Sequence, residues 1–201
     1  MLKPYSLEPK LKDFLLDKKS AILEKWFDVI LESYPADTSS FLKSQKNQFA
    51  NPVGHTLMRG IEGLFEELLQ GRDSEKVPLL LDNIIRIRAV QDFSPSQSIN
   101  FIFLLKRVLR EKLKMEQDNS GQEKEIFEEL LKLESRIDDL ALLSFDIFMK
   151  CREKIYELKT NEIRNMTFRL LQKANLVYEI KEEELVVKDS NINNLYEARK
   201  E

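Results

Sequence analysis

The chain of 201 residues has few of the residues that interrupt or cross-link a fold, with only 5 Gly, 6 Pro and 1 Cys. The scarcity of Gly and Pro favours long uninterrupted helices, and the lone Cys151 excludes an intramolecular disulfide. No apolar run approaches the roughly 20 residues that span a bilayer, and the first ten residues have no apolar signal core. We therefore expect an all-α protein of the reducing cytoplasm without membrane insertion.

The chain also lacks an excess of positive charge. It has 32 Lys and Arg against 35 Asp and Glu, which gives a formal net charge of -3. Domains that bind DNA or RNA carry a basic patch, because neutralising phosphates releases counterions. This composition therefore predicts no nucleic-acid partner.

Histidine is nearly absent, which restricts the possible chemistry. The single His55 excludes the paired Glu-x-x-His ligands of a di-iron bundle, and no Ser-His-Asp set can be inferred. His55 would share its helical face with Arg59, Glu62 and Glu66, which is typical of a solvated face rather than a haem ligand. We expect neither enzymatic activity nor a bound metal or cofactor.

One helix can be bounded closely from its caps. Asn51 before Pro52 pairs a capping side chain with proline at the first helical position, and Gly71 follows Gln70 as a stop. Gly60 and Gly63 lie inside this helix, where each costs about 1 kcal/mol relative to Ala. Close approach of a neighbouring helix is one explanation, and a ligand lying against exposed backbone is the other.

The remaining short helices follow from apolar spacing. The pattern predicts helices over residues 9–16, from Ser20 to the Tyr34-Pro35 stop, from an Asp37 N-cap through Leu42, and from Asp73 or Ser74 to near Gln91. Ser94-Pro95-Ser96-Gln97 then predicts a capping box. The helix that follows is apolar on nearly every side, which is typical of a central position.

A long helix is predicted from Gln122, beyond which there is no Gly or Pro. Its apolar stripe is wide up to about Met149, with Phe127, Phe145 and Cys151 among the expected core residues. Continued to Leu176, the helix would extend roughly 80 Å, so we expect either a break near Thr160-Asn161 or a coiled coil. We favour a coiled coil that makes a homodimer. Its candidate contact residues are Ile155, Leu158, Ile163, Met166 and Leu170.

These elements predict a division into two parts. We expect a helical domain over residues 1–158, and over residues 159–201 a helical extension with a flexible acidic tail. Within that tail, residues 177–180 and 185–187 could form a small hairpin.

The region from roughly Lys10 to Leu113 resembles a known family. Trp26 with Tyr34-Pro35, Arg88-Ala89 with Gln91, and Ser94-Pro95 are similar to the N-terminal domain of RsbRD-type regulators, which also precedes sensor histidine kinases. The related RsbR regulators have a globin-like N-terminal domain without haem. The resemblance implies a sensory or regulatory input module, but no phosphoacceptor (STAS) or kinase output domain follows, so we expect a stand-alone version.

Arg88 is a charged residue at a position that the apolar pattern predicts to be buried. It lies three residues after Ile85 and seven after Leu81, so it extends an apolar stripe, and a buried unpaired charge is costly. Asp92 is the simplest ion-pair partner. The alternative is an anionic head group held by Arg88 and the following helix N-terminus, with an apolar tail along the aromatic-rich helix. The candidate ligand-binding residues are Arg88, Gln91, Ser94, Trp26 and Phe103.

The sequence thus predicts an all-α, globin-like or related helical bundle with a long C-terminal helix. Its expected role is to bind a small ligand or a partner protein and to signal through that helix. A structural or assembly protein that docks a partner complex without a ligand is the alternative, and a haem-bearing sensor is a further one.

Overall fold

The computed structural model describes residues 7–45, 47–71, 75–91, 93–114 and 123–174. Every regular element in these ranges is an α-helix, which confirms the all-α prediction. No helix in the same ranges is long and apolar enough to cross a membrane. The seven helices are α1 (Pro9–Asp17), α2 (Lys19–Leu31), α3 (Ala36–Ser44), α4 (Pro52–Gln70), α5 (Lys76–Val90), α6 (Pro95–Lys114) and α7 (Glu123–Lys173).

The chain divides into two compact units, Met1–Glu153 and Lys154–Glu201. In the first unit, α2 packs against α1, α3, α4 and α6, while α5 packs against α4 and α6. The core lies among these helices and includes the fully buried Leu15, Ile22, Leu57, Leu81 and Val108. The predicted domain boundary after Leu158 stays a prediction.

Local caps set the bounds of α4 as expected. The Asn51 side chain accepts a hydrogen bond from the Gly54 backbone N–H at 2.8 Å, and its own amide donates to the carbonyl oxygen of Leu42 at 2.9 Å. Gly71 ends the helix with a φ of 65°, a left-handed conformation that glycine adopts without strain.

The two glycines inside α4 lie against α5. A Cβ on Gly60 would come within 2.7 Å of Ile84 Cδ1, and a Cβ on Gly63 within 2.9 Å of Leu80 Cδ2. The close approach of a neighbouring helix therefore explains the lack of a side chain at Gly60, while Gly63 contacts only the flexible end of the Leu80 side chain.

Three local predictions were wrong. The N-cap of α3 is Pro35 rather than Asp37, which instead lies in the first turn, where a carboxylate favours the positive end of the helix dipole. Helix α6 is not buried on every side, as its expected central position implied, because Phe103 is 45 % exposed. Cys151 is half-buried rather than a core residue, since burial falls off toward the end of the first unit.

The buried apolar stripe of α7 is narrower than predicted. Leu133, Ile137 and Ser144 are buried as expected, but Phe127 and Phe145 are about half exposed. The helix thus buries one face in the first unit and leaves its other side to solvent. It runs to Lys173 without interruption, so the predicted break near Thr160-Asn161 does not occur.

Several predictions fall outside the described residues. These are the Asp73 or Ser74 cap of α5, the partner Asp92, the hairpin over residues 177–187 and the flexible tail.

Candidate functional site

Arg88 lies at the centre of the candidate site. It comes from the last turn of α5 and is only 1 % exposed. Its Nη1 donates to the carbonyl oxygen of Gln97 in the first turn of α6 at 2.9 Å, and its Nη2 donates to Ser33 Oγ at 3.1 Å. The guanidinium therefore connects three segments of the chain: the end of α5, the start of α6 and the residues that follow α2.

Three aromatic rings surround the same guanidinium. Its Cζ lies 4.9 Å from the ring centre of Phe93, 5.5 Å from that of Tyr34 and 5.6 Å from that of Phe101. Tyr34 and Phe93 also contact each other edge to face, with ring centres 5.2 Å apart. Ring faces attract a cation, and the attraction is greatest when water is excluded. We call Arg88, Ser33, Tyr34, Phe93 and Phe101 the arginine cluster.

Burial sets the electrostatics of this cluster. It lowers the pKa of Arg88 because the charged guanidinium is removed from water, an effect that Tyr34 partly opposes. Burial likewise raises the pKa of the Tyr34 phenol, although the Arg88 charge opposes the shift. Within the described ranges no carboxylate forms an ion pair with Arg88.

Two buried polar atoms near this point, Arg88 Nε and Ser98 Oγ, have no hydrogen-bond partner among the described residues. Ser98 directly follows Gln97, the residue whose carbonyl oxygen Arg88 binds. Buried groups of this kind normally find a partner. Among the described residues, the Arg88 charge is bound by a hydroxyl and a carbonyl oxygen, and its Nε finds no partner there.

The structure brings most of the predicted ligand-binding residues to this cluster. Gln91 Oε1 accepts a hydrogen bond from the Tyr34 hydroxyl at 3.1 Å. Ser94 and Gln97 form the predicted capping box: Ser94 N–H donates to Gln97 Oε1 at 2.9 Å, and Gln97 N–H donates to Ser94 Oγ at 3.2 Å. The first turn of α6 is thus satisfied by its own side chains.

Trp26 and Phe103 have different positions. Trp26 is buried, and its Nε1 donates to the carbonyl oxygen of Phe101 at 2.6 Å, which places it beside the cluster. Phe103 is two residues further along α6, about 200° around the helix from Phe101, and Lys106 Nζ lies 5.9 Å from its ring centre. Phe103 therefore faces away from Arg88, and Phe101 takes the expected aromatic place.

Sequence reasoning missed Ser33, Phe93 and Phe101 as members of this site. Ser33 carries no recognisable signal in the sequence, because its hydroxyl meets Arg88 from 55 residues away. Tyr34 was noted only as part of the family pattern. The aromatic residues near Arg88 could have been found by asking which rings flank the turn between α5 and α6.

The first unit also connects this site to α7. The Nη1 of Arg152 donates to the carbonyl oxygen of Ala89 at 3.1 Å, so an α7 side chain binds the residue next to Arg88. Two residues of α6 bind α7 nearer to its N-terminus. Arg110 binds Glu134 through two hydrogen bonds of 2.6 Å, and Lys106 binds Asp138 at 2.6 Å. Within the first unit, α7 therefore contacts both α5 and α6 through charged side chains.

Two further residues with reactive side chains are His55 and Cys151. His55 lines an open polar groove along α4 together with Arg59, Glu62 and Asn83. Burial raises the pKa of the Cys151 thiol, which disfavours the reactive thiolate. In the described part of the chain, no group of three His, Cys, Asp or Glu side chains could hold a metal ion.

The second unit presents a different candidate surface, the α7 segment over residues 154–173. Ile163, Met166 and Leu170 are 65 %, 57 % and 65 % exposed, and Tyr156 is also exposed. Their steps of 7, 3 and 4 residues place them on one side of the helix, as in the a and d positions of a coiled coil. We call these four residues the distal seam.

The other two predicted contact residues lie off this line. Ile155 is half-buried and adjacent to the seam. Leu158 is exposed but lies about 110° around the helix from the centre of the seam.

Comparison with known proteins identifies the family. Residues 20–163, or 144 of the 201 residues, match the profile of the RsbT co-antagonist protein rsbRD N-terminal domain. An uncharacterized protein of Archaeoglobus fulgidus is 25 % identical over 148 residues, covering 73 % of this chain and 85 % of that protein. No solved structure matches the chain. The family is one of regulatory input domains rather than catalytic ones. The chain therefore belongs to the family of the RsbT co-antagonist protein rsbRD N-terminal domain.

Proposed function

We propose that this protein is a non-enzymatic regulatory input domain that forms a homodimer through the distal seam and signals through α7. Family membership supports the regulatory role. The lone cysteine is consistent with action in the reducing cytoplasm. A globin-like arrangement of the core is part of the proposal and stays a prediction.

The observation that carries the proposal is the exposure of the distal seam. Single exposed apolar residues are ordinary, but a row of them at coiled-coil spacing marks an interaction surface. Ile163 and Leu170 are each 65 % exposed in the single chain. Pairing would cover this apolar side, which the single chain leaves in water.

The arginine cluster supplies a physical route for the signal. It joins α5, α6 and the residues that follow α2 through one guanidinium, and Arg152 joins the neighbouring Ala89 to α7. A change in the cluster would shift the contact between Ala89 and Arg152. We propose that this contact transmits the input to the helix that forms the dimer.

The experiment is sedimentation velocity over a range of concentrations, with two matched variants. Ile163→Asp places a charge in the seam, and Phe168→Asp places the same charge on an exposed apolar residue on the outer side of the same helix. The proposal expects a dimer that Ile163→Asp converts to monomer and Phe168→Asp leaves intact. A wild-type monomer at every concentration, or equal loss in both variants, would contradict it.

A second candidate function is the binding of a small anionic ligand at the arginine cluster. The observation that favours it is the buried guanidinium with no carboxylate partner among the described residues and an unpaired Nε. Because Arg88 is 1 % exposed, an anion would enter only after the α5–α6 turn opens. Native mass spectrometry of the protein as purified tests this idea, since a bound mass that disappears in Arg88→Met would support it.

The same spectrum separates the remaining hypotheses. A bare subunit mass favours a module that docks a partner complex and holds no ligand. A haem would add both its mass and a visible absorption band.

A further inference from the structure

The distal seam has a charge pattern that distinguishes the two possible orientations of a helix pair. The inference rests on the dimer proposed above and concerns its geometry. Tyr156, Ile163 and Leu170 are spaced by 7 residues and take the a positions. The d positions, three residues after each, are Lys159, Met166 and Lys173. All six side chains are exposed.

A parallel pair would place identical residues opposite each other. Lys159 would face Lys159 of the second copy, and Lys173 would face its own equivalent at the last layer. Two ammonium groups forced together in an apolar seam repel each other and lose water. Two of the six layers would therefore oppose a parallel dimer.

An antiparallel pair centred between Ile163 and Met166 removes this repulsion. Each a residue then faces a d residue, so that Ile163 faces Met166 of the second copy. Lys159 faces Leu170, and Lys173 faces Tyr156. A lysine stem can cover an apolar neighbour while its ammonium group extends into water.

The residues beside the seam favour the same orientation. Glu162 and Arg169 take the g positions, which flank the seam and set the orientation of coiled coils. In an antiparallel pair, g faces g, so Glu162 of each chain lies beside Arg169 of the second copy, and the contact occurs twice. In a parallel pair, g faces e, and Glu162 and Arg169 would meet the uncharged Thr167 and Ala174 instead.

Both charged groups are available for this contact. Glu162 and Arg169 are exposed, and neither has an ion-pair partner within the described part of the chain. From the two lysine layers and the two flanking charges, we infer that residues 154–173 of two copies of this chain pair antiparallel, with Glu162 of each bound to Arg169 of the second copy.

Charge reversal tests the flanking contacts. Glu162→Arg would place two pairs of arginines together, and Arg169→Glu would place two pairs of glutamates together. Each single change should weaken dimerisation by about tenfold or more, and the double variant that exchanges the two charges should restore it. Single and double variants that all dimerise like the wild-type protein would overturn the antiparallel assignment.

Disulfide trapping tests the orientation independently. In a Cys151→Ser background, one chain carries Lys159→Cys and another carries Leu170→Cys. After mixing under reducing conditions and reoxidation, the antiparallel pair predicts a cross-linked dimer in the mixture and none from either variant alone. Within one antiparallel dimer, two Lys159→Cys positions would lie about 16 Å apart, too far for a disulfide.

The outcomes separate this inference from the dimer itself. Cross-linking of Lys159→Cys to its own copy, or a stable dimer that forms no disulfide in the mixture, overturns the antiparallel geometry and leaves the dimer in place. A protein that sediments as a monomer at every concentration overturns both.

Discussion

Arg88 Nη1 donates to the carbonyl oxygen of Gln97 at 2.9 Å, so that a side chain from the end of α5 binds the backbone of the first turn of α6. That carbonyl belongs to a residue whose side chain already caps the same turn by accepting from the Ser94 N–H. The turn between α5 and α6 is therefore fixed both by its own cap and by a buried cation. This double constraint is why we place the input of the proposed signal at this turn.

Replacing Arg88 tests whether the cluster stabilises the fold. A lysine keeps the charge but lacks the planar group that reaches both Gln97 and Ser33, so Arg88→Lys should lower the free energy of unfolding by about 1–3 kcal/mol. Arg88→Met should lower it at least as much, because it also removes the cation from the three rings. Chemical denaturation measures both changes.

An increase in stability on Arg88→Met would contradict this prediction. Burial of a charged guanidinium costs desolvation energy, so an Arg88→Met protein more stable than the wild type would contradict a stabilising role. It would indicate that Arg88 is retained for binding an anion.

The two glycines of α4 should respond differently to alanine. At Gly60 the added methyl group meets the fully buried Ile84 at 2.7 Å, so Gly60→Ala should destabilise the protein by about 1–3 kcal/mol. At Gly63 it meets Leu80, which is only partly buried and can move. The better helix propensity of alanine, up to about 1 kcal/mol, should then make Gly63→Ala neutral or stabilising.

Thermal unfolding of the two variants side by side checks this difference. Equal effects at both positions would contradict the described packing of α4 against α5.

Tyr34 should make stability depend on alkaline pH. Its folded-state pKa is raised above 10.0 mainly by burial, so the folded protein holds the phenol proton more tightly than the unfolded chain. This contribution is complete below pH 10.0 and is lost as the pH rises through the folded pKa. The free energy of unfolding should therefore fall more steeply above that pH in the wild type than in Tyr34→Phe. Identical slopes would mean that the phenol has the same pKa in the folded and unfolded states, and would contradict the raised pKa of Tyr34.

Glu129 should make the free energy of unfolding depend on acidic pH. Lys132 and the backbone N–H of Glu8 bind this carboxylate and hold its pKa below the ordinary 4.5. Its stabilising effect is present above pH 4.5 and is lost as the pH falls through the folded pKa. Glu129→Gln should reduce stability near neutral pH and flatten the loss toward acid.

Acid titration of the unfolding free energy is the measurement, and Glu128→Gln at the exposed neighbouring position is the control. A control with the same flattened curve would contradict a specific role for Glu129.

The sequence was most informative where the interactions are local. The Asn51 cap, the Gly71 stop and the Ser94–Gln97 box all join residues within a few positions, so their residue types predict their geometry. The burial of Arg88 was also predictable, because its spacing from Leu81 and Ile85 continues an apolar stripe.

The partners of Arg88 were not predictable in the same way. Charge balance favoured a carboxylate or an anionic ligand. The described residues supply a neutral hydroxyl and a carbonyl oxygen, while the predicted partner Asp92 lies outside them. The choice between Phe101 and Phe103 was equally open, since α6 has apolar residues on almost every side and only its tertiary contacts decide which one is buried. For α7, the absence of Gly and Pro allowed a continuous helix but did not require one.

The most direct test of the account is native mass spectrometry of the full chain beside a chain that ends at Leu158, which lacks Ile163, Met166 and Leu170. The account predicts a dimer for the full chain and a folded monomer for the shortened one. The same oligomeric state in both proteins would contradict pairing through the distal seam.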